Sequence, residues 1–272
     1  MQPKLQQLKQ VTQQYYDEHG RHHLPWRNDT SPYSIFISEV MLQQTQVNRV
    51  VSKYHEFTQA LPDFAALAEA PQAEVLRLWQ GLGYNRRALW LQRAAQMVVQ
   101  DFGGELPKDP NQLQKLPGIG PNTAGSIAAF AYNVPTVFIE TNIRRVFLHY
   151  CFADRQDVAD EQLTPLIEQA LQGEQPRQWY WALMDYGSYL STQLPNPNRR
   201  SKHYAKQSKF AGSDRQIRGE VLRQLLATPL SQAKLFANLE HLETDKKRLH
   251  RIVAGLEQEG FVERTKNTYR LR

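Results

Sequence analysis

Cysteine is almost absent from this 272-residue chain. A single thiol, Cys151, excludes an internal disulfide and any metal or iron–sulfur site that one chain would build from several thiolates. Long apolar runs are missing too. Hydrophobic residues make up 41% of the chain, enough for a sizeable core, yet no stretch approaches the roughly 20 residues that a membrane-spanning helix needs. The polar, glutamine-rich start, Met1–Gln14, does not read as a secretory signal. These absences point to a soluble, cytoplasmic protein with no membrane partner. Strand signals are scarce until Phe261–Arg264 and Thr268–Leu271, which flank Lys266-Asn267 as a short hairpin would. No internal repeat and no low-complexity tract is present.

Positive charge is present and unevenly placed. Arg199–Arg272 carries 17 Lys and Arg against 8 Asp and Glu, a net of +9, whereas the chain before it is net −3. A basic quarter of this kind favours a polyanionic partner, nucleic acid above all. Helical periodicity dominates elsewhere. Leu5, Leu8, Val11 and Tyr15 mark a first amphipathic helix; Pro32 suits the first turn of a second, running through Ile35, Phe36, Val40 and Met41; Val47, Val50, Val51 and Tyr54 mark a third. Residues 85–102 read as a long helix stopped by Gly103-Gly104, and 142–152, 161–171 and 179–190 read as helices. Pro195–Ser213 has the composition of a linker. Beyond it, helices over 215–226, 231–239 and 245–259 precede the hairpin, which is the element order of a winged-helix module. The expected organisation is residues 1–194 as the main helical domain, 195–213 as a basic linker and 214–272 as a winged-helix-like DNA-binding domain.

One turn carries a more specific signal. Leu116-Pro117-Gly118-Ile119-Gly120 lies between two helical stretches. Its glycines permit a tight turn without side chains in the way, and the backbone N–H groups, with the following helix N-terminus, can face a phosphate. A helix-hairpin-helix grips a DNA backbone in this way without reading sequence.

The longer string Leu116-Pro117-Gly118-Ile119-Gly120-Pro121-Asn122-Thr123-Ala124-Gly125 resembles the hairpin of the endonuclease III and MutY group. Ser38-Glu39-Val40-Met41-Leu42-Gln43-Gln44-Thr45-Gln46 resembles the MutY signature almost letter for letter. Pro25-Trp26-Arg27, Pro32-Tyr33 and Gly81-Leu82-Gly83-Tyr84 fit the same pattern, and Phe210–Gly219 resembles the segment that opens the C-terminal region of actinobacterial MutY proteins. The resemblance covers nearly the whole chain, most strongly Leu24–Val146. It implies a mainly α, two-lobed helix-hairpin-helix DNA glycosylase fold with a small C-terminal winged-helix-like module. The activity it implies is removal of a flipped adenine from A·8-oxoguanine or A·G mispairs in double-stranded DNA.

Breaking an N-glycosidic bond requires protonation of the leaving base and stabilisation of positive charge on the sugar, and two carboxylates can do both. Glu39 stands in an otherwise apolar and amide-rich helix, where burial raises its pKa and keeps a proton available. By resemblance it protonates the adenine and then assists water. Glu140, in Val137–Val146, occupies the position where the family has an aspartate that stabilises or attacks the oxocarbenium-like sugar; here the carboxylate is one methylene further out. Asn142 matches an asparagine beside that carboxylate. Asn122 occupies the place of the Schiff-base lysine of endonuclease III-type enzymes and cannot form an imine, so hydrolysis without an efficient lyase step is expected. By resemblance Gln44 enters the duplex and Tyr84 wedges beside the opposite base. Arg86 and Arg87 suit phosphate contact, and Leu116, Gly118, Gly120, Asn122 and Thr123 form the hairpin's DNA-binding face, which leaves room for a monovalent cation.

Two departures stand out. Most relatives hold a 4Fe–4S cluster on four cysteines after the last helix of the catalytic domain; here that region reads Ser191-Thr192-Gln193-Leu194-Pro195-Asn196-Pro197-Asn198. No cluster and no other cofactor is therefore expected. The tail is also too short and too helical for the nucleotide-hydrolase-like domain that reads 8-oxoguanine in many MutY proteins. Four readings stay open: an adenine glycosylase acting as a monomer, a related glycosylase for another base, a bifunctional lyase, and a non-catalytic DNA-binding protein on the same scaffold.

Overall fold

The structure, a computed structural model, describes residues 2–206, 208–242 and 244–272. Helices dominate: α1 (Gln2–His19), α2 (Pro25–Asn28), α3 (Pro32–Leu42), α4 (Val47–Ala60), α5 (Phe64–Glu69), α6 (Gln72–Leu78), α7 (Arg86–Asp101) and α8 (Pro110–Leu113). After them come α9 (Pro121–Tyr132), α10 (Thr141–Cys151), α11 (Asp160–Leu171), α12 (Pro176–Gln193), α13 (Asp214–Ala227), α14 (Gln232–Asn238) and α15 (Lys246–Gln258). Three short strands, β1 (Leu230–Ser231), β2 (Val262–Thr265) and β3 (Thr268–Leu271), complete the chain. No helix among the described residues is long and apolar enough to cross a membrane. Asp63, Asp109, Ser213, Ser231 and Asp245 each accept a backbone N–H at the start of a helix, so local side-chain chemistry sets these boundaries.

The chain forms two compact units. The first joins Met1–Val40 to Glu105–Lys206, and the second joins Met41–Gly104 to Gln207–Arg272. In the first, Leu8, Phe130, Phe147, Trp179 and Tyr180 are fully buried. The buried stripe of α1 runs through Leu5, Leu8, Thr12 and Tyr16, not through Val11 and Tyr15 as the apolar pattern suggests. Steps of three, four and four residues keep these side chains on one face, while Tyr15 turns sideways to stack on Tyr189 at 4.8 Å between ring centroids. Asp185 on α12 is the polar anchor of this unit. Its carboxylate accepts from the Arg21 backbone N–H at 2.8 Å and from both Arg27 Nη atoms at 2.6 and 2.7 Å. Burial alone would raise the Asp185 carboxyl, but the paired guanidinium groups hold it below its ordinary value.

The second unit packs α5 and α6 against α7, with α4 against α6, around Phe57, Leu67, Val75 and Trp79, all with no exposed surface. It also contains the C-terminal elements. There β3 pairs antiparallel with both β1 and β2, giving the order β1-β3-β2, and α13 and α15 pack together over the sheet around Val221, Leu235, Leu256 and Phe261. The order helix, strand, helix, helix and hairpin adds β1 to the elements expected from the sequence; a two-residue strand is too short to announce itself there. Glu259, just after α15, is held by Arg218 at 2.5 Å and by Arg86 at 2.6 Å.

The segment 195–206 packs on the first unit. A 3-10 turn, Pro197–Arg200, buries Asn198, whose Nδ2 donates to the Thr141 carbonyl at 3.0 Å; Arg200 donates to the carbonyls of Phe152 and Ala153 beyond the end of α10.

Close packing of α10 on α12 depends on Gly187. A Cβ there would come within 2.5 Å of the Asn142 carbonyl oxygen and 2.7 Å of its Cβ. Gly187→Ala is expected to destabilise the protein by about 1–3 kcal/mol, read as a fall of several degrees in Tm, because neither helix backbone has room to yield.

Candidate active site

Two carboxyl groups define the site. Glu39 projects from α3 between the buried Ser38 and Val40. Its Oε2 lies 2.6 Å from Ser126 Oγ, which donates from α9, and the same hydroxyl lies 3.0 Å from the Thr123 carbonyl. Part of the Glu39 surface stays open, yet the surrounding protein excludes most of its solvation. Burial pushes its carboxyl up to about 7; the Ser126 hydrogen bond opposes this, and the nearby negative charge of Glu140 reinforces it. Glu39 therefore holds a proton into the neutral range.

Glu140 caps α10. Its Oε1 accepts the backbone N–H groups of Asn142 at 2.7 Å and Ile143 at 3.1 Å, at the positive end of the helix dipole. Asn142 Nδ2 stands 3.4 Å from the other carboxylate oxygen. Burial raises the Glu140 pKa, against the pull of these N–H groups and of Arg145 and Arg144. Behind it, Arg145 donates from Nη1 to Asn142 Oδ1 at 2.6 Å and to the Gly187 carbonyl at 2.7 Å. Arg145 thus orients the asparagine that orients the carboxylate.

The hairpin lies between α8 and α9. Leu116 and Ile119 are buried anchors, Gly118 takes φ +79°, and Gly120 is the extended residue before Pro121 opens α9. Only glycine adopts the Gly118 conformation without strain. A Cβ at Gly120 would meet no atom within 4 Å, so the space above the turn is open for a phosphate. Asn122 Oδ1 accepts the Ile139 N–H at 3.1 Å, tying the start of α9 to the segment that leads into Glu140. Gly120 holds the cap position of α9, and no side chain caps it.

In the second unit, Gln44 and Tyr84 both adopt left-handed backbone conformations, at φ +55° and +49°. For an aromatic residue this is a strained state that the surroundings must enforce. Arg87 supplies the enforcement. Expected at a phosphate, it is instead 5% exposed. Its guanidinium donates to the carbonyls of Met41, Gln43, Leu82 and Gly83 and to Thr45 Oγ1, at 2.7 to 3.1 Å. A fork of donors is satisfied by carbonyls at short range, and burial lowers its pKa to about 10. One arginine therefore clamps the Gln44 turn to the Tyr84 turn. Tyr84 has a further partner in Arg215, which donates from Nη1 to the phenol oxygen at 2.7 Å. Arg86 is exposed but paired with Glu259.

Sequence reasoning missed Ser126, Arg145 and Arg215. Ser126 carried a faint signal, a single hydroxyl in the small apolar run Ala124–Ala129; the two arginines carried none, since Arg145 is held by the Gly187 carbonyl 42 residues away and Arg215 meets Tyr84 131 residues away.

An acid that keeps its proton near neutrality, a second carboxyl at a helix N-terminus and an open backbone hairpin make up the chemistry of a helix-hairpin-helix glycosylase. Residues 37–169 match the HhH-GPD superfamily of base excision DNA repair proteins. The fold is similar to that of a thermostable thymine-DNA glycosylase, with a TM-score of 0.61 at 24% identity over 69% of this chain and 87% of that one. In sequence the chain is 33% identical to the adenine DNA glycosylase of Mycolicibacterium smegmatis over 92% of its own length and 91% of that protein. It is 40% identical to the adenine DNA glycosylase of Buchnera aphidicola over 50% of its length and 39% of that protein. The chain belongs to the adenine DNA glycosylase family, within the HhH-GPD base-excision repair enzymes.

Arg87→Lys keeps a charge but loses the fork. It is expected to lower stability by about 3 kcal/mol or more, since several buried carbonyls lose their donor; urea unfolding with an unchanged m-value would measure it.

Proposed function

We propose that this protein removes adenine from duplex DNA by hydrolysing its N-glycosidic bond, with the adenine opposite 8-oxoguanine or guanine. The observation that carries this reading is the buried Glu39, whose carboxyl titrates at about 7 beside Glu140. The base leaves as an anion unless it is protonated, and a carboxyl poised near the working pH is the efficient donor. Glu39 protonates the adenine; as the bond lengthens, positive charge develops on the sugar, and Glu140, held by its cap and by Asn142, stabilises it. The ionised Glu39 then takes a proton from the attacking water.

Around this centre, the Leu116–Thr123 hairpin holds the DNA backbone, with Gly118, Gly120 and Thr123 on its open side. Gln44 and Tyr84 occupy the space of the extruded nucleotide and the opposite base. The basic C-terminal module contributes affinity for the duplex. Asn122 offers no amine, which supports a monofunctional enzyme. The chain has one cysteine, buried in α10, and a cluster region without thiols, which does not fit a 4Fe–4S cluster; we propose that the protein acts as a monomer on cytoplasmic or nucleoid DNA without a cofactor.

A single-turnover assay on duplexes bearing A·8-oxoguanine, A·G, A·C, T·G, U·G and hypoxanthine·T tests the reading. Strand cleavage at adenine that appears only after alkali is expected. Cleavage at another base would move the substrate, and cleavage without alkali would contradict the monofunctional assignment. Glu39→Gln is expected to lower the rate at least about 10²-fold while leaving duplex affinity intact.

The rate should also follow the protonated fraction of Glu39. It is expected to be level below neutrality and to fall about tenfold per pH unit above about 7, because deprotonation removes the acid. A rate that rises through that range would contradict this assignment.

A further inference from the structure

Ser126 has no part in the chemistry described so far. Its side chain is 4% exposed, on a stretch of α9 otherwise made of Ala124, Gly125, Ile127, Ala128 and Ala129. A hydroxyl in such surroundings is costly to bury unless it is hydrogen-bonded, and it has two acceptors within reach: Glu39 Oε2 at 2.6 Å and the Thr123 carbonyl at 3.0 Å. A serine has one proton to donate and lone pairs to accept with. It therefore cannot donate to both at once, and which one it serves depends on the charge of Glu39.

We infer that Ser126 is a positioning residue for Glu39, whose hydroxyl turns between the Thr123 carbonyl and the Glu39 carboxylate and so holds that side chain in one place through both of its protonation states. This rests on the reading of Glu39 as the acid that becomes a base. While Glu39 carries its proton for the base, its neutral carboxyl is a weaker acceptor, and the Ser126 O–H turns to the Thr123 carbonyl. Once Glu39 has passed its proton to the leaving base, the Ser126 O–H rotates to the carboxylate. No proton is gained or lost by the serine; only the direction of its O–H changes. A base held ready in this way needs no side-chain rearrangement before it accepts a proton from water.

The charged surroundings of Glu39 agree with this role. Glu140, from the start of α10, is the ionisable group that acts on Glu39, and it disfavours the ionised form; Arg144 and Arg145 face Glu140. Among these side chains, Ser126 is the group that favours the carboxylate of Glu39. Removing it should raise the pKa of Glu39, because the lost hydrogen bond is one made to the charged form.

Ser126→Ala is compatible with the helix, since alanine is the stronger helix former. In single-turnover assays on the A·8-oxoguanine duplex, the alkaline limb of the rate profile is expected to move up by about one pH unit relative to wild type. Ser126→Cys, close in shape but a weak donor, should fall between the two. The same shift is expected without turnover, in the NMR titration of the Glu39 side-chain carboxyl carbon in protein labelled with 13C-glutamate, with Glu39→Gln used to assign the signal. Superimposable profiles and titrations in wild type and Ser126→Ala would overturn the inference. If wild type cleaves no duplex in the panel but its Glu39 titration moves up in Ser126→Ala, the positioning contact stands and the adenine reading fails.

Discussion

A carboxyl group that protein surrounds and water barely reaches is the constraint on which this structure depends. Charge in such a place is disfavoured, and the molecule lets the group hold its proton up to about neutrality instead of pairing it with a cation. Asp185 shows the opposite solution in the same unit: it is at least as inaccessible, but Arg21 and Arg27 surround it and hold its carboxyl below its ordinary pKa. The contrast separates two uses of a buried acid. Asp185 holds the loop before α2 to α12, where a fixed charge serves as an anchor. Glu39 has a hydroxyl and a second carboxyl as neighbours, which leaves its proton free to leave and return.

The elements around Glu39 are arranged to support that chemistry. Glycines at 125 and 187 let backbones approach where a methyl group would collide with Phe138 or Asn142. The result is a close-packed frame in which α10 begins at a defined place, so that the Glu140 cap and the Asn142 side chain are set by helix geometry and not by a flexible loop. The stretch after α12 is held by ordinary polar chemistry: a 3-10 turn, a buried asparagine and an arginine serving the carbonyls at the end of α10.

The second unit solves a different problem, the holding of two strained turns. Left-handed conformations at Gln44 and Tyr84 are retained because Arg87 links the carbonyls on both sides. Arginine suits this task because its donors are fixed in one plane and can serve several oxygens at once. The C-terminal module adds its own support through Arg215 at Tyr84 and through the Arg86–Glu259–Arg218 bridge.

Much of this was determined by the sequence alone. Helical periodicity, the Leu116–Gly120 turn, the hairpin around Lys266-Asn267 and the lone Glu39 in an apolar helix are local patterns, and local patterns follow from backbone geometry and solvation of neighbouring residues. Tertiary structure decided what depends on partners distant in the chain. It turned Arg87 from an expected phosphate contact into an internal clamp, gave Asn122 a bond to Ile139, moved the buried stripe of α1 onto Thr12 and Tyr16, and brought Ser126 to Glu39 across 87 residues. Each is a question of which donor meets which acceptor after burial, and a linear pattern of residue types does not specify that.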